Sequence, residues 1–332
     1  MQRIAVVTKH KYMGDTLIAT PLLRGIKQAF PESHVTLMAG GAAIQLLENC
    51  PYTDALLAYK KDDGLFALAQ KLAKPDLCFL VDRSFRAGML GVACGAKQRV
   101  GFNAEGRGFM LTHRVPYLWD KREIVAYLDL LQAVAPGTYD PSPILWVKGD
   151  EKAAAKARLA QESGGERFIG MQPGANDPYV REWKAEHYAL VGDRLSEKYG
   201  ARVILFGTDT EKKAAEVVEA QMAHKPLMLA GKTKLREAMA LISCCDLWIG
   251  NDGGLLHLAA GVGLPTVGIF GPTKFARWHY DGPRHRSLVS PLPEGTKPTD
   301  EAIRTALDAI TPDQVEQAAQ ELALCPPQVG EM

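Results

Sequence analysis

At 332 residues the chain exceeds what one hydrophobic core usually organises, so two domains are expected. With 47% hydrophobic and 23% charged residues the composition excludes a disordered or fibrous protein. A formal net charge of +1 supplies no global field for a polyanion, which argues against nucleic acid as a partner.

The opening MQRIAVVTKHKYMGD runs from a short apolar stretch straight into polar residues, without the apolar region and cleavage site of a signal peptide, so no export signal is expected. Arg3–Thr8, Val35–Met38, Ala55–Tyr59 and Leu77–Val81 read as strands. Amphipathic stretches between them, Thr16 to Phe30, Gly64 to Ala73 and Ser84 to Cys94, read as helices, the first stopping at Pro31. This alternation implies right-handed βαβ crossovers and a mostly parallel sheet covered on both faces. The segment Pro136–Asp150 is rich in Pro and Gly and breaks the periodicity, so the domain boundary is expected there, with residues 1–149 on one side and 150–332 on the other. A charged, Ala-rich helix follows, and alternation resumes with Phe168–Met171, Val203–Phe206, Leu227–Leu229, Leu247–Ile249 and Thr266–Phe270. Two doubly wound α/β units in series predict a cleft facing the carboxyl ends of both sheets, where a ligand is expected. No stretch reaches the roughly 18 apolar residues of a membrane-spanning helix. The six cysteines, Cys50, Cys78, Cys94, Cys244, Cys245 and Cys325, show no metal-ligand spacing, which points to reduced thiols in the cytoplasm and no metal site.

Five strand ends carry residues suited to chemistry. In KHKYMGDTLIATPLL, Asp15 either caps the helix that follows or serves as a general base, and the two roles are compatible. In IGNDGGLLHLAAGVGLPTVGIFGPT, Asp252, Gly253 and Gly254 lead from a strand into a helix whose N–H groups and dipole suit a diphosphate, with His257 either touching phosphate or packed. In MQPGANDPYVREWKAEHYALV, Arg181 beside a helix start suits phosphate through its forked donors, although a solvated surface charge is the plainer alternative, as packing is for Trp183. Asp209, after FG at another strand end, suits ribose hydroxyls or caps a helix, and Gly231, Lys232 and Thr233 form a loop whose backbone could meet a base edge.

Taken together, PGA followed by a basic residue and Trp, then FG with an acid two residues on, then AGKTKL, then NDGGLLHLAAGVGLPTVGIFGPT, resemble the bacterial lipopolysaccharide heptosyltransferases of glycosyltransferase family 9. GDTLIATPLLRGIKQAFP, DRSFRAGML, GAKQRVGF and REIVAYLDLL extend the resemblance over nearly the whole chain. It implies a GT-B type fold, two Rossmann-like domains with parallel sheets facing a central cleft, with the last helix expected to pack back on the N-terminal domain. It further implies inverting, metal-independent transfer of heptose from ADP-heptose to an inner-core hydroxyl of Kdo-lipid A or heptosyl-Kdo-lipid A. ADP-heptose is then a substrate, and no cofactor is expected.

Residue by residue, the resemblance implies Asp15 as general base, Arg181, Asn176, Gly253, Gly254 and His257 about the diphosphate, Asp252 on the donor sugar, Asp209 near ribose and Thr233 at adenine. Many relatives carry Lys where this chain has Arg181, and some place hydroxyl residues where it has Asn176 and Asp177. Lys9, Lys11, Arg83, Arg86, Arg99, Arg107 and Arg114 supply cations to the N-terminal half, and Lys9, Lys11, Arg83 and Arg86 are the expected grip on an acidic acceptor. An acceptor carrying lipid A also implies peripheral contact with the cytoplasmic face of the inner membrane. A same-fold transferase using another sugar or acceptor, and a nucleotide-sugar epimerase, stay open on sequence alone.

Overall fold

The computed structural model describes residues 1–11, 13–273, 275–280 and 282–323. Cys325, one of the expected reduced thiols, lies outside the described residues, and the other five cysteines are free. The chain divides into two compact units, Met1–Trp146 and Val147 onward.

The first unit runs β1 (Arg3–Val7), α1 (Met13–Leu17), α2 (Thr20–Ala29), β2 (His34–Ala39), α3 (Gly41–Leu46), β3 (Ala55–Ala58), α4 (Leu65–Leu72), β4 (Leu77–Leu80), α5 (Phe85–Ala93), β5 (Gln98–Phe102), β6 (His113–Val115) and α6 (Glu123–Gln132). A single 3-10 turn, Gly108–Met110, separates β5 from β6. Its sheet has the order β3-β2-β1-β4-β5-β6, all parallel. The stretch expected as one helix from residue 16 to 30 is two. Pro21 has no N–H to give and is tolerated only in a first turn, so α2 starts beside it, while the Thr20 hydroxyl binds the Leu17 carbonyl at 2.8 Å and closes α1.

The second unit runs α7 (Gly149–Ser163), β7 (Phe168–Gln172), α8 (Pro178–Arg181), α9 (Ala185–Tyr199), β8 (Arg202–Leu205), α10 (Lys212–Gln221), β9 (Leu227–Met228), α11 (Leu235–Ile242), β10 (Leu247–Asn251), α12 (Gly254–Gly261), β11 (Thr266–Phe270), α13 (Phe275–Trp278), β12 (His285–Val289), α14 (Asp300–Asp308) and α15 (Pro312–Ala323). Its sheet has the order β12-β11-β10-β7-β8-β9, again all parallel. Every residue of β7, β10 and β11 is buried, as strands covered by helices on both faces require. From α15, Val315, Ala319 and Leu322 enter the core formed with Ile249, Val267 and Ile269.

Both sheets reverse direction once. In the first, β1 leads outward to β2 and β3, and the chain then returns to β4 beside β1; in the second the same reversal separates β7 from β10. Crossovers on opposite sides of such a point leave a crevice at the carboxyl ends of the two central strands. Asp15 follows β1 and Arg83 follows β4, while Arg181 follows β7 and Asp252 follows β10.

Candidate active site

In the first unit the loop leaving β1 is held from two sides. The Tyr59 hydroxyl donates to the Thr8 carbonyl at 2.6 Å, and the Thr8 and Thr16 hydroxyls pair at 2.8 Å. That places Asp15 inside, 6% exposed, with Lys9 Nζ 2.6 Å from its Oδ1 and the Tyr127 hydroxyl donating to the same oxygen at 3.4 Å. Burial pushes the Asp15 carboxyl above its ordinary value; the Lys9 charge and hydrogen bond pull it down, the nearby Glu123 carboxylate pushes it up, and the Tyr127 hydroxyl pulls it down. Glu123 is itself buried and accepts the Tyr117 hydroxyl at 2.6 Å.

The cations of this unit sort into different roles. Arg83 lies over the Tyr117 ring at 3.9 Å and the Trp119 ring at 5.2 Å, and its buried Nε has no hydrogen-bond partner among the described residues. Arg86 donates to the Asp63 carbonyl, and Lys11 is exposed. Arg99 and Arg107, counted with them in the sequence, are structural. Arg99 binds the Met110 and Ala96 carbonyls, each at 2.6 Å. Arg107 has no exposed surface and donates to the carbonyls of Leu80 (3.1 Å), Phe102 (3.2 Å), Ser84 (3.3 Å) and Asp82, joining the carboxyl ends of β4 and β5. Burial lowers its pKa to about 10, so it stays charged at neutral pH.

In the second unit four strand-end loops are tied together. Asn251, wholly buried, accepts from the Trp183 N–H (3.1 Å) and the Tyr188 hydroxyl (3.0 Å) and donates to the carbonyls of Pro173 (2.8 Å) and Gln172 (3.4 Å). Glu211 accepts the Gln172 amide at 3.1 Å and the Thr208 N–H at 2.7 Å. A Cβ on Gly174 would fall 2.5 Å from the Glu211 Cβ, so only glycine lets the β7 loop lie against the β8 loop. The Asp209 carboxylate in turn covers Gly231, whose N–H donates to the Gly207 carbonyl at 3.0 Å, which brings Asp209 beside the Gly231–Thr233 loop.

Arg181 closes α8, where Arg304 binds the Tyr179 and Glu182 carbonyls on either side of it. Its Nη1 stands 3.9 Å from Asp252 Oδ2, a loose ion pair, and its side chain is 27% exposed. Asn176 is exposed in the loop before α8. At Gly253 the backbone is extended (φ −167°), a conformation open to any residue, and no side chain caps α12. A Cβ there would meet nothing closer than Gln172 Oε1 at 3.6 Å. Neither backbone geometry nor the chain's own packing demands glycine, so a bare turn beside uncapped N–H groups, Asp252 and Arg181 leaves room for a ligand to approach.

His257 sits one turn further on, 4% exposed, with Nδ1 sharing a hydrogen bond with the Tyr280 hydroxyl at 2.7 Å and its ring 5.7 Å from Trp278. Burial lowers its pKa, opposed by Asp252 and assisted by Arg181, so the ring is neutral near pH 7. Trp183 is 2% exposed, donates to the Ile310 carbonyl at 2.8 Å and packs on Tyr188, which is the packing alternative. Among the described residues no group of three His, Cys, Asp or Glu side chains is placed to hold a metal ion, and no helix is long and apolar enough to cross a membrane.

Sequence reasoning assigned no role to Asn251, Glu211, Glu123 or Tyr127. Glu123 and Tyr127 stand four residues apart on α6, hence on one face, and an acid within an apolar helical face was the available signal.

The family described as glycosyltransferase family 9 (heptosyltransferase) matches residues 65–303. The lipooligosaccharide heptosyltransferase 2 of Haemophilus ducreyi is 27% identical over 343 residues, covering 95% of this chain and 97% of its own. Of solved structures, a glycosyl transferase family 9 protein from Veillonella parvula is similar with a TM-score of 0.85 at 23% identity, covering 97% of both chains. The ADP-heptose lps heptosyltransferase II of E. coli gives 0.79 at 23% identity, covering 98% of this chain and 99% of that one. These likenesses show the fold, a GT-B type pairing of Rossmann-like units.

Proposed function

The chain belongs to glycosyltransferase family 9, the heptosyltransferases, and from that premise we propose that it moves heptose from ADP-heptose to a hydroxyl of the lipopolysaccharide inner core, Kdo-lipid A or heptosyl-Kdo-lipid A, with inversion at the anomeric carbon. A sugar hydroxyl is too weak an acid to ionise beforehand, so its proton must leave as its oxygen bonds to the anomeric carbon. Asp15 takes that proton. The observation that carries this reading is a buried carboxylate at the reversal point of the first sheet whose basicity burial raises.

The other half of the reaction is departure of ADP, whose diphosphate gains negative charge in the transition state. Arg181 and the N–H groups at Gly253, Gly254 and the start of α12 stabilise that charge without recourse to a divalent cation or another cofactor. Asp252 holds heptose hydroxyls, Asp209 the ribose, the Thr233 backbone the adenine, and Asn176 borders the phosphates. His257, held by Tyr280 in the first turn of α12, borders the diphosphate. Lys9, Lys11, Arg83 and Arg86 receive the acidic groups of the acceptor, and the enzyme works at the cytoplasmic face of the inner membrane, where that acceptor is anchored.

The test is transfer from ADP-heptose to the two acceptors, followed by product mass. Asp15→Asn is expected to lower kcat by about 10²–10⁴ while leaving ADP affinity unchanged. A kcat within twofold of the parent would remove Asp15 as the base.

A further inference from the structure

Large apolar side chains are unevenly exposed. Of the eleven that stand open among the described residues, eight belong to the first unit: Met1, Phe66, Phe85, Met89, Val92, Phe109, Leu118 and Trp119. Phe85, Met89 and Val92 are spaced i, i+4 and i+7 on α5, which puts all three on one face, 43%, 37% and 51% exposed. The Phe109 ring, 70% exposed, lies 6.2 Å from that of Phe85 and extends the face onto the 3-10 turn. Clustered open apolar surface of this kind marks an interaction site.

Charge separates in the same sense. Residues 1–146 hold 17 Lys and Arg against 13 Asp and Glu, a formal +4, whereas residues 147–332 hold 22 against 25, a formal −3. Arg86 adjoins Phe85 on α5 and donates to the Asp63 carbonyl, and the Arg114 stem passes beside Gly108, next to Phe109; Asp62, Asp63, Asp82, Glu105 and Asp120 are the acids in the neighbouring loops. The basic, apolar half is also the half that holds the acceptor residues. Arg83 links exposed Trp119 to Tyr117, and Tyr117 binds Glu123 beside Asp15.

We propose that Phe85, Met89, Val92 and Phe109, with Arg114, form a face that docks the first unit on an anionic phospholipid leaflet, aromatic and aliphatic side chains entering the headgroup boundary and the arginine meeting lipid phosphate. The choice of a lipid occupant rests on the acceptor reading given above, because an enzyme whose acceptor is held in a leaflet gains by lying on it.

The experiment is co-sedimentation of the full chain with phosphatidylcholine vesicles and with vesicles that also contain phosphatidylglycerol, beside transfer to a core oligosaccharide freed of lipid. The parent is expected to bind the anionic vesicles, less well in high salt. Phe85→Ser with Phe109→Ser should lower the partition about tenfold or more, with transfer to the lipid-free acceptor unchanged, which also shows that the variant folds. No binding by the parent, or equal binding by the variant, overturns the proposal. A parent dimer that the two substitutions dissociate, without lipid binding, assigns the face to a second copy and overturns it as well. Failure of ADP-heptose transfer to the soluble acceptor would instead strike the proposed reaction, since sedimentation needs no sugar.

Discussion

Asp15 sits where water cannot stabilise its charge, and Lys9 is its nearest compensation at 2.6 Å. Burial and Glu123 raise its pKa, while Lys9 and the Tyr127 hydroxyl lower it, so removing the lysine leaves the raising influences less opposed. Only the ionised carboxylate accepts a proton, and activity falls as pH falls through its pKa. Lys9→Met is therefore expected to move the acid limb of the kcat profile to higher pH, with the alkaline plateau largely kept and the KM for the acidic acceptor raised. A limb that stays in place would show that Lys9 does not act on the base. The two arginines following β4 and β5 show where residue-level reading stops. Arg83 and Arg107 both stand in short loops among polar residues, yet one stacks on Tyr117 and Trp119 and the other is consumed by four carbonyls. Which of two cations is covered depends on distant strand ends meeting, and local sequence holds no trace of that.

At the scale of elements, the turn between β10 and α12 is expected to separate folding from binding. Gly253 is extended and its hypothetical Cβ is clear of the protein, so Gly253→Ala should leave the melting temperature unchanged or slightly raised through a less flexible unfolded chain. The same methyl group projects where phosphate approaches, and ADP affinity should fall about tenfold or more, the equivalent of ~1.4 kcal/mol, by titration calorimetry. Loss of stability without loss of affinity would mean that the glycine serves the fold. The strands that frame this turn were legible because the runs 168–171, 247–249 and 267–270 are apolar and buried, the pattern of strands covered on both faces. β12 was not, because HRSLV is half-buried at every position and alternates in neither sense. β6, at three residues, is too short for periodicity to register. The acids at Asp15, Asp209 and Asp252 stood out by their places at strand ends, whereas Asn251 was overlooked because its four partners come from segments 63–79 residues away.

For the molecule as a whole, a nucleotide that binds only the native state must raise its stability. At about 100 times its Kd, ADP adds ~2.7 kcal/mol, which corresponds to roughly 5–10 °C in melting temperature for a domain of this size. Scanning calorimetry should record that shift for the parent, and Arg181→Ala should lose most of it at the same ADP concentration; an equal shift in the variant would remove Arg181 from the diphosphate site. The outermost strands have one further consequence. Three of the four sheet edges are β3, β6 and β9, with four, three and two residues, and the fourth, β12, carries Arg286 paired to Glu321. Rows of open N–H and C=O groups that brief give a neighbouring polypeptide little template to lengthen, so crowding should not drive these sheets to aggregate edge to edge.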